Sequence, residues 1–131
     1  MERIYDGSSF KNQHPGKFYC LVKDDMTNSG FEYNLGFNKD LHFNQFDMTT
    51  GIFFTNKKNI FFLIQDNDYI YKVTIPNKAI VCAIKESNNM IDKYKASKIV
   101  LEYEVNLEDL RMKEYEISYK YCGQWSHGGS F

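Results

Sequence analysis

The chain has 131 residues and a formal charge of −1, enough for one domain with an ordinary core. That near-neutral balance excludes non-specific nucleic-acid binding, which needs a marked basic excess. No run approaches the roughly 20 apolar residues that cross a bilayer as a helix, so no membrane partner is expected. A 43% hydrophobic and 25% charged composition is that of a soluble globular protein, and the 17% aromatic content favours strands. Cys20, Cys82 and Cys122 are odd in number and widely spaced, which argues against a disulfide framework. Cys20 and Cys82 stand in apolar runs and read as buried small hydrophobes. The N-terminus lacks a signal-peptide core, so the chain is expected to stay inside the cell that makes it.

Residues 1–16 read as an irregular lead-in, with turn signals at Gly7-Ser8-Ser9 and His14-Pro15-Gly16. Ile4, Tyr5 and Phe10 are the residues able to pin it to the body. Residues 17–23 form the first clear strand. Phe18, Cys20 and Val22 share one face, Tyr19 and Leu21 the other, so both faces should be covered. Asp24 to Gly30 is a turn. Residues 31–37 alternate strictly, with Phe31, Tyr33, Leu35 and Phe37 on one side, and predict a half-exposed strand. Residues 38–49 form a longer loop anchored by Phe43 and Phe46. His42 in that loop reads as a structural or surface residue.

The densest apolar stretch is Gly51 to Pro76. Ile52-Phe53-Phe54 predicts a short strand, and Thr55 or Asn56 an N-cap whose oxygen accepts an unpaired helical N–H. Asn59, Ile60, Phe62, Leu63 and Ile64 then supply one or two helical turns. Asp66-Asn67-Asp68 is a turn into the strand Tyr69 to Ile75, ended by Pro76. Ala79 to Lys85 is apolar on both faces and predicts a central strand. Glu86 to Ser97 reads as a short helix or ordered loop, and Lys98 to Val105 as a strand. Asn106 caps a helix whose first turn holds Glu108 and Asp109, where acids suit the helix dipole. Ile117 to Phe131 begins as an edge strand and ends in a Gly-rich tail carrying the single Trp.

The expected organisation is a lead-in over 1–16, a globular domain over 17–117 and an edge segment with tail over 118–131. The expected fold is α+β: a mostly antiparallel, twisted sheet of about six strands with two or three short helices.

Several blocks carry a resemblance. They are Phe18-Tyr19-Cys20-Leu21; Gly30-Phe31-Glu32-Tyr33 with Leu35-Gly36-Phe37-Asn38; Gly51-Ile52-Phe53-Phe54-Thr55 with Asn59-Ile60; Ile70 to Pro76 with its Val-x-Ile-Pro end; Lys95 to Leu101; and Leu107 to Leu110. In this order they resemble the N-terminal domain that precedes the repeats in ankyrin-repeat proteins of mimivirus-like giant DNA viruses. The likeness covers residues 17 to 110, and the chain looks like a stand-alone version without the repeats. It implies a viral protein in the cytoplasm of an infected host cell, with incorporation into the virion also open. It carries over no site residues.

The chemistry points first to a non-enzymatic protein-interaction module, because aromatic anchors dominate interface energetics. The expected anchors are Tyr33 and Phe43 near the long loop, and Tyr119, Tyr121 and Trp125 in the tail. The partner would be a host or viral protein, or a second copy of the chain in a homodimer. The alternative is an enzyme, or an inactive relic of one. The strand–helix unit Gly51–Asn59, followed late by Glu102 or Glu104, is similar to the layout that lines the NAD pocket of mono-ADP-ribosyltransferases. The first strand lacks that family's His-Gly or Arg, and Phe53 stands where it has Tyr. Cys122 and His127, with His14, make too small a set for zinc, which wants four ligands. No catalytic residue, cofactor or metal is therefore expected.

Overall fold

The computed structural model describes residues 3–84 and 93–111. The strands are β1 (Arg3–Asp6), β2 (Phe18–Val22), β3 (Thr27–Asn28), β4 (Phe31–Glu32), β5 (Gly36–Lys39), β6 (Ile52–Asn56), β7 (Tyr69–Thr74), β8 (Ile80–Ile84), β9 (Lys93–Ala96) and β10 (Lys98–Val105). The helices α1 (Gly7–Gln13) and α2 (Lys57–Leu63) are short, and residues 107–111 are helical. β3 and β4 form a small hairpin of their own. The remaining eight strands make one antiparallel sheet in the order β1-β8-β9-β6-β2-β7-β10-β5. The α+β class and the antiparallel sheet agree with expectation. The sheet has eight strands where about six were expected, because β1 and β9 lie in stretches whose sequence reads as lead-in and as helix or loop.

The first of these is the larger correction. Residues 3–13 are not irregular. Asp6 ends β1 and caps α1 by accepting from the Ser9 N–H at 2.7 Å. That places Phe10, fully buried, in a nest of rings: Phe18 at 5.2 Å, Tyr94 at 4.9 Å and Phe54 at 5.7 Å between centroids, with His14 stacked at 4.8 Å. Edge-to-face ring pairs of this kind add about 0.5–1.5 kcal/mol each beyond area burial. The Gly-Ser-Ser run that reads as a turn is the first turn of a capped helix.

The sheet has two covered faces. On the inner one, Cys20, Val22, Ile52, Val73, Ile99 and Leu101 join the Phe10 cluster in one core. On the outer one, Tyr19 and Ile70 pack with Ile60 of α2 and with Leu110. This is why β2 alternates apolar residues on both sides. Asn56, not Thr55, is the N-cap of α2, its side-chain oxygen taking the Asn59 N–H at 2.9 Å. β8 lies one strand in from the edge instead of at the centre, paired by β1 and β9. β10 matches its predicted span, with a bulge between Leu101 and Tyr103. The bulge makes Glu102 the extra residue, so Val100 opposite Thr74 and Tyr103 opposite Lys72 face the same outer side.

The β2–β6 junction is narrow. Only Phe18↔Asn56 and Tyr19↔Thr55 are paired before the strands diverge. Past that point side chains replace the ladder on the core side. The Cys20 thiol donates to the Phe53 carbonyl at 3.2 Å, and the Tyr33 hydroxyl bonds both the Phe53 backbone and the Cys20 thiol. Burial pushes the Cys20 thiol up to about 12 and the Tyr33 hydroxyl well above its usual range. Both groups are therefore neutral bridges at any physiological pH.

α1 reaches the 76–79 turn without a spacer. The Ser8 N–H bonds the Asn77 carbonyl at 3.2 Å, and a β-carbon on Gly7 would lie 1.8 Å from the Pro76 carbonyl oxygen. Gly7→Ala is expected to lower the urea midpoint, with a loss of about 2–3 kcal/mol from forced backbone separation. An unchanged midpoint would show that α1 does not dock there.

Candidate interaction surface

β5 is an edge strand, and its register fixes which backbone groups stay free. Lys39 faces Lys98, Phe37 faces Val100, and the Asp40 N–H bonds the Ser97 carbonyl at 2.9 Å. Antiparallel pairing alternates, so residues 36, 38 and 40 direct their groups at β10. The N–H and C=O of Phe37 and Lys39 point away from the sheet, and among the described residues no backbone group meets them.

The strand starts later than its alternating sequence predicts. Residues 33–35 leave the sheet, because the Asn38 side chain, 3% exposed, folds back on them. It accepts from the Asn34 N–H at 2.8 Å and donates to the carbonyls of Asn34 and Gly36 at 2.8 and 3.0 Å. This internal bracket undoes the expected common face. Tyr33 turns inward to the β2–β6 junction, whereas Leu35 (67%) and Phe37 (57%) are exposed. Beside them an open groove of about 750 Å³ is lined by Phe31, Glu32, Asn34, Phe37, Leu41 and His42, among others. Leu41 and Phe46 are 78% and 76% exposed.

The loop behind the groove has no regular structure and is held by short-range polar geometry. Asp40, Asn44 and Asp47 each accept a backbone N–H two residues on, at 2.9, 3.0 and 2.8 Å. Asp47 also takes the Thr49 and Thr50 hydroxyls, and the Thr50 bond is the largest cause holding its carboxyl well below the usual range. Beneath the loop, Lys95 is 1% exposed and donates to the Asn44 and Asp47 carbonyls at 2.8 and 2.6 Å. Its ammonium lies 5.6 Å from the centre of the Phe43 ring and 5.5 Å from that of Phe53. Gly51 makes room for it. The backbone there has φ 125°, and a β-carbon would sit 2.8 Å from Lys95 Cε.

Of the anchors expected from sequence, Tyr33 is thus a core residue, recruited by the unpaired backbone of Phe53. Phe43 is half-buried and faces Lys95. Tyr119, Tyr121 and Trp125 lie outside the described residues, as do Cys122 and His127. His14 belongs to the ring cluster around Phe10. Among the described residues no three His, Cys, Asp or Glu side chains gather as metal ligands, and no helix is long and apolar enough to cross a membrane. Sequence reading missed Leu35 and Phe37 because strict alternation groups them with Phe31 and Tyr33 on one strand face, and Leu41 because it stands in the predicted loop. It missed Lys95 because its stretch reads as helix or loop.

Lys95→Met is expected to cost about 2–3 kcal/mol, since it leaves two carbonyls without their charged donor. It should also speed amide exchange across residues 43–50. Exchange no faster than in the parent would mean that the loop is held without Lys95.

Comparison of the chain with protein-family models, with curated proteins and with solved structures gave no match.

Proposed function

We propose that the chain is a non-enzymatic protein-interaction module that captures an extended segment along β5. The observation that carries this reading is the outward-facing backbone of Phe37 and Lys39, flanked by exposed Leu35, Phe37 and Leu41. An incoming strand would gain main-chain hydrogen bonds from the edge and place alternate side chains against these apolar ones. The groove has both signs of charge, Glu32 and Asp40 against Lys39, so selectivity rests on apolar side-chain spacing more than on net charge. The same edge would serve a second copy of the chain, paired antiparallel. The viral, cytoplasmic setting is supported by the sequence resemblance.

Selection from a peptide display library is expected to enrich extended peptides with apolar residues at every second position. Phe37→Glu should weaken the selected peptides at least about tenfold, or 1.4 kcal/mol, with an unchanged thermal midpoint. Equal enrichment on parent and Phe37→Glu would remove β5 as the site.

The transferase alternative has one supporting feature, a cleft beside Phe53, Phe54 and Thr55. Against it, neither Glu102 nor Glu104 lines that cleft. Glu102 instead bonds Lys72 at 2.7 Å on the outer face, which lowers its carboxyl from the usual value. The module reading expects no thermal stabilisation by NAD at millimolar concentration. A shift of the midpoint that saturates with NAD would favour the enzyme.

A further inference from the structure

Where β2 and β6 part, Cys20 and Tyr33 bridge the core side, but the outer side is left open. The result is a cleft of about 230 Å³. Tyr19, Leu21, Phe53, Ile60 and Leu63 give it apolar walls, and α2 closes one end. Its polar groups come from separate parts of the chain: Lys23 after β2, Asn28 and Ser29 in the hairpin, Gln65 and Asp68 after α2, and Lys93 on β9.

Most of these groups are already committed to one another. Asp68, with its side chain 4% exposed, accepts from Lys23 at 2.5 Å and from the Gln65 N–H at 2.8 Å. Asn28 donates to the Leu21 carbonyl at 2.6 Å and accepts from the Ser29 hydroxyl. Lys93 differs. Its ammonium sits 4.5 Å from the centre of the Phe53 ring, and among the described residues no carboxylate lies within ion-pair distance. Lys95, which also approaches that ring, has its ammonium hydrogen-bonded to two loop carbonyls and is not part of the cleft lining, whereas Lys93 opens on the cleft. Among the described residues of the lining, two lysines against one carboxylate leave one positive charge in surplus beside an apolar wall.

We propose that this cleft binds a small organic carboxylate: one negative charge on a compact apolar body. The carboxylate would sit between Lys93 and the free donor positions of Lys23, with the body against Leu21, Phe53 and Leu63. Partial enclosure strengthens a single ion pair relative to one in open water, and the apolar walls reject ions that carry no hydrophobic group. A phosphate monoester carries more charge than the surplus neutralises, which favours the carboxylate.

The test is a titration of the ¹⁵N-labelled chain with benzoate, with acetate and inorganic phosphate in parallel. Benzoate should produce saturable shifts at residues 19–23, 53–55 and 93, with a Kd on the order of 1 mM for so small a ligand. Acetate and phosphate should not saturate in that range. Lys93→Met should weaken benzoate at least tenfold, and Lys98→Met, on β10 opposite Lys39 and outside the cleft lining, should leave it unchanged. Contacts between benzoate ring protons and the side chains of Leu21 and Phe53 in the unmodified chain provide a check that needs no variant. The proposal fails if benzoate shifts are not saturable, if acetate or phosphate binds as well, if Lys93→Met binds equally, or if the ring contacts lie elsewhere.

Discussion

Two backbone pairings, Phe18↔Asn56 and Tyr19↔Thr55, join the halves of an eight-stranded sheet. Everything on either side depends on how that narrow junction is completed. A buried strand edge with unpaired backbone groups would cost free energy comparable to several lost hydrogen bonds. The thiol of Cys20 and the hydroxyl of Tyr33 meet the backbone of Phe53 and remove part of that penalty. Because both are pushed toward the protonated form by burial, neither introduces a charge into the core. The same arrangement commits Tyr33 to the interior and so draws the chain between β4 and β5 against the sheet.

The rest of the irregular backbone follows a similar logic at longer range. Short polar side chains satisfy the turns locally, and one long cation ties the loop to the sheet. Lys95 is the polar counterpart of Phe10. Each is almost wholly buried, and each fixes a segment that lacks ladder bonds of its own to the body. Phe10 fixes α1 by ring contacts, Lys95 fixes the loop after β5 by two carbonyls. The exposed apolar residues of β5 and the loop are thus displayed on a firm support.

Five strands were legible from sequence: β2, β6, β7, β8 and β10 stand in the apolar or alternating runs that predict them. So were the Asn106-led helix and the short helix after β6, because an Asx cap ahead of apolar residues has a local cause. Three features were not legible, two for a long-range reason and one through a local competition. Residues 3–13 look like loop until the cavity that receives Phe10 is known. β9 looks polar because Lys93 and Lys95 are stabilised by the Phe53 ring and by loop carbonyls more than 40 residues away in sequence. Residues 31–37 alternate like a strand, but the Asn38 side chain offers the backbone of Asn34 and Gly36 a competing set of bonds. The candidate surface therefore emerged on residues assigned to the core, and the assigned anchor Tyr33 proved internal.

The strand order also constrains the sequence of assembly. Apart from β8–β9 and the β3–β4 hairpin, neighbours in the sheet are distant along the chain, a topology that folds slowly because loop closure precedes the contacts that reward it. β1 pairs with β8, and the rings around Phe10 include Tyr94. β1 thus has no partner strand until residue 84 is made, and Phe10 has no complete socket until β9 follows. Residues 3–13 are made well before the strands that receive them and so are among the last of these elements that can be seated.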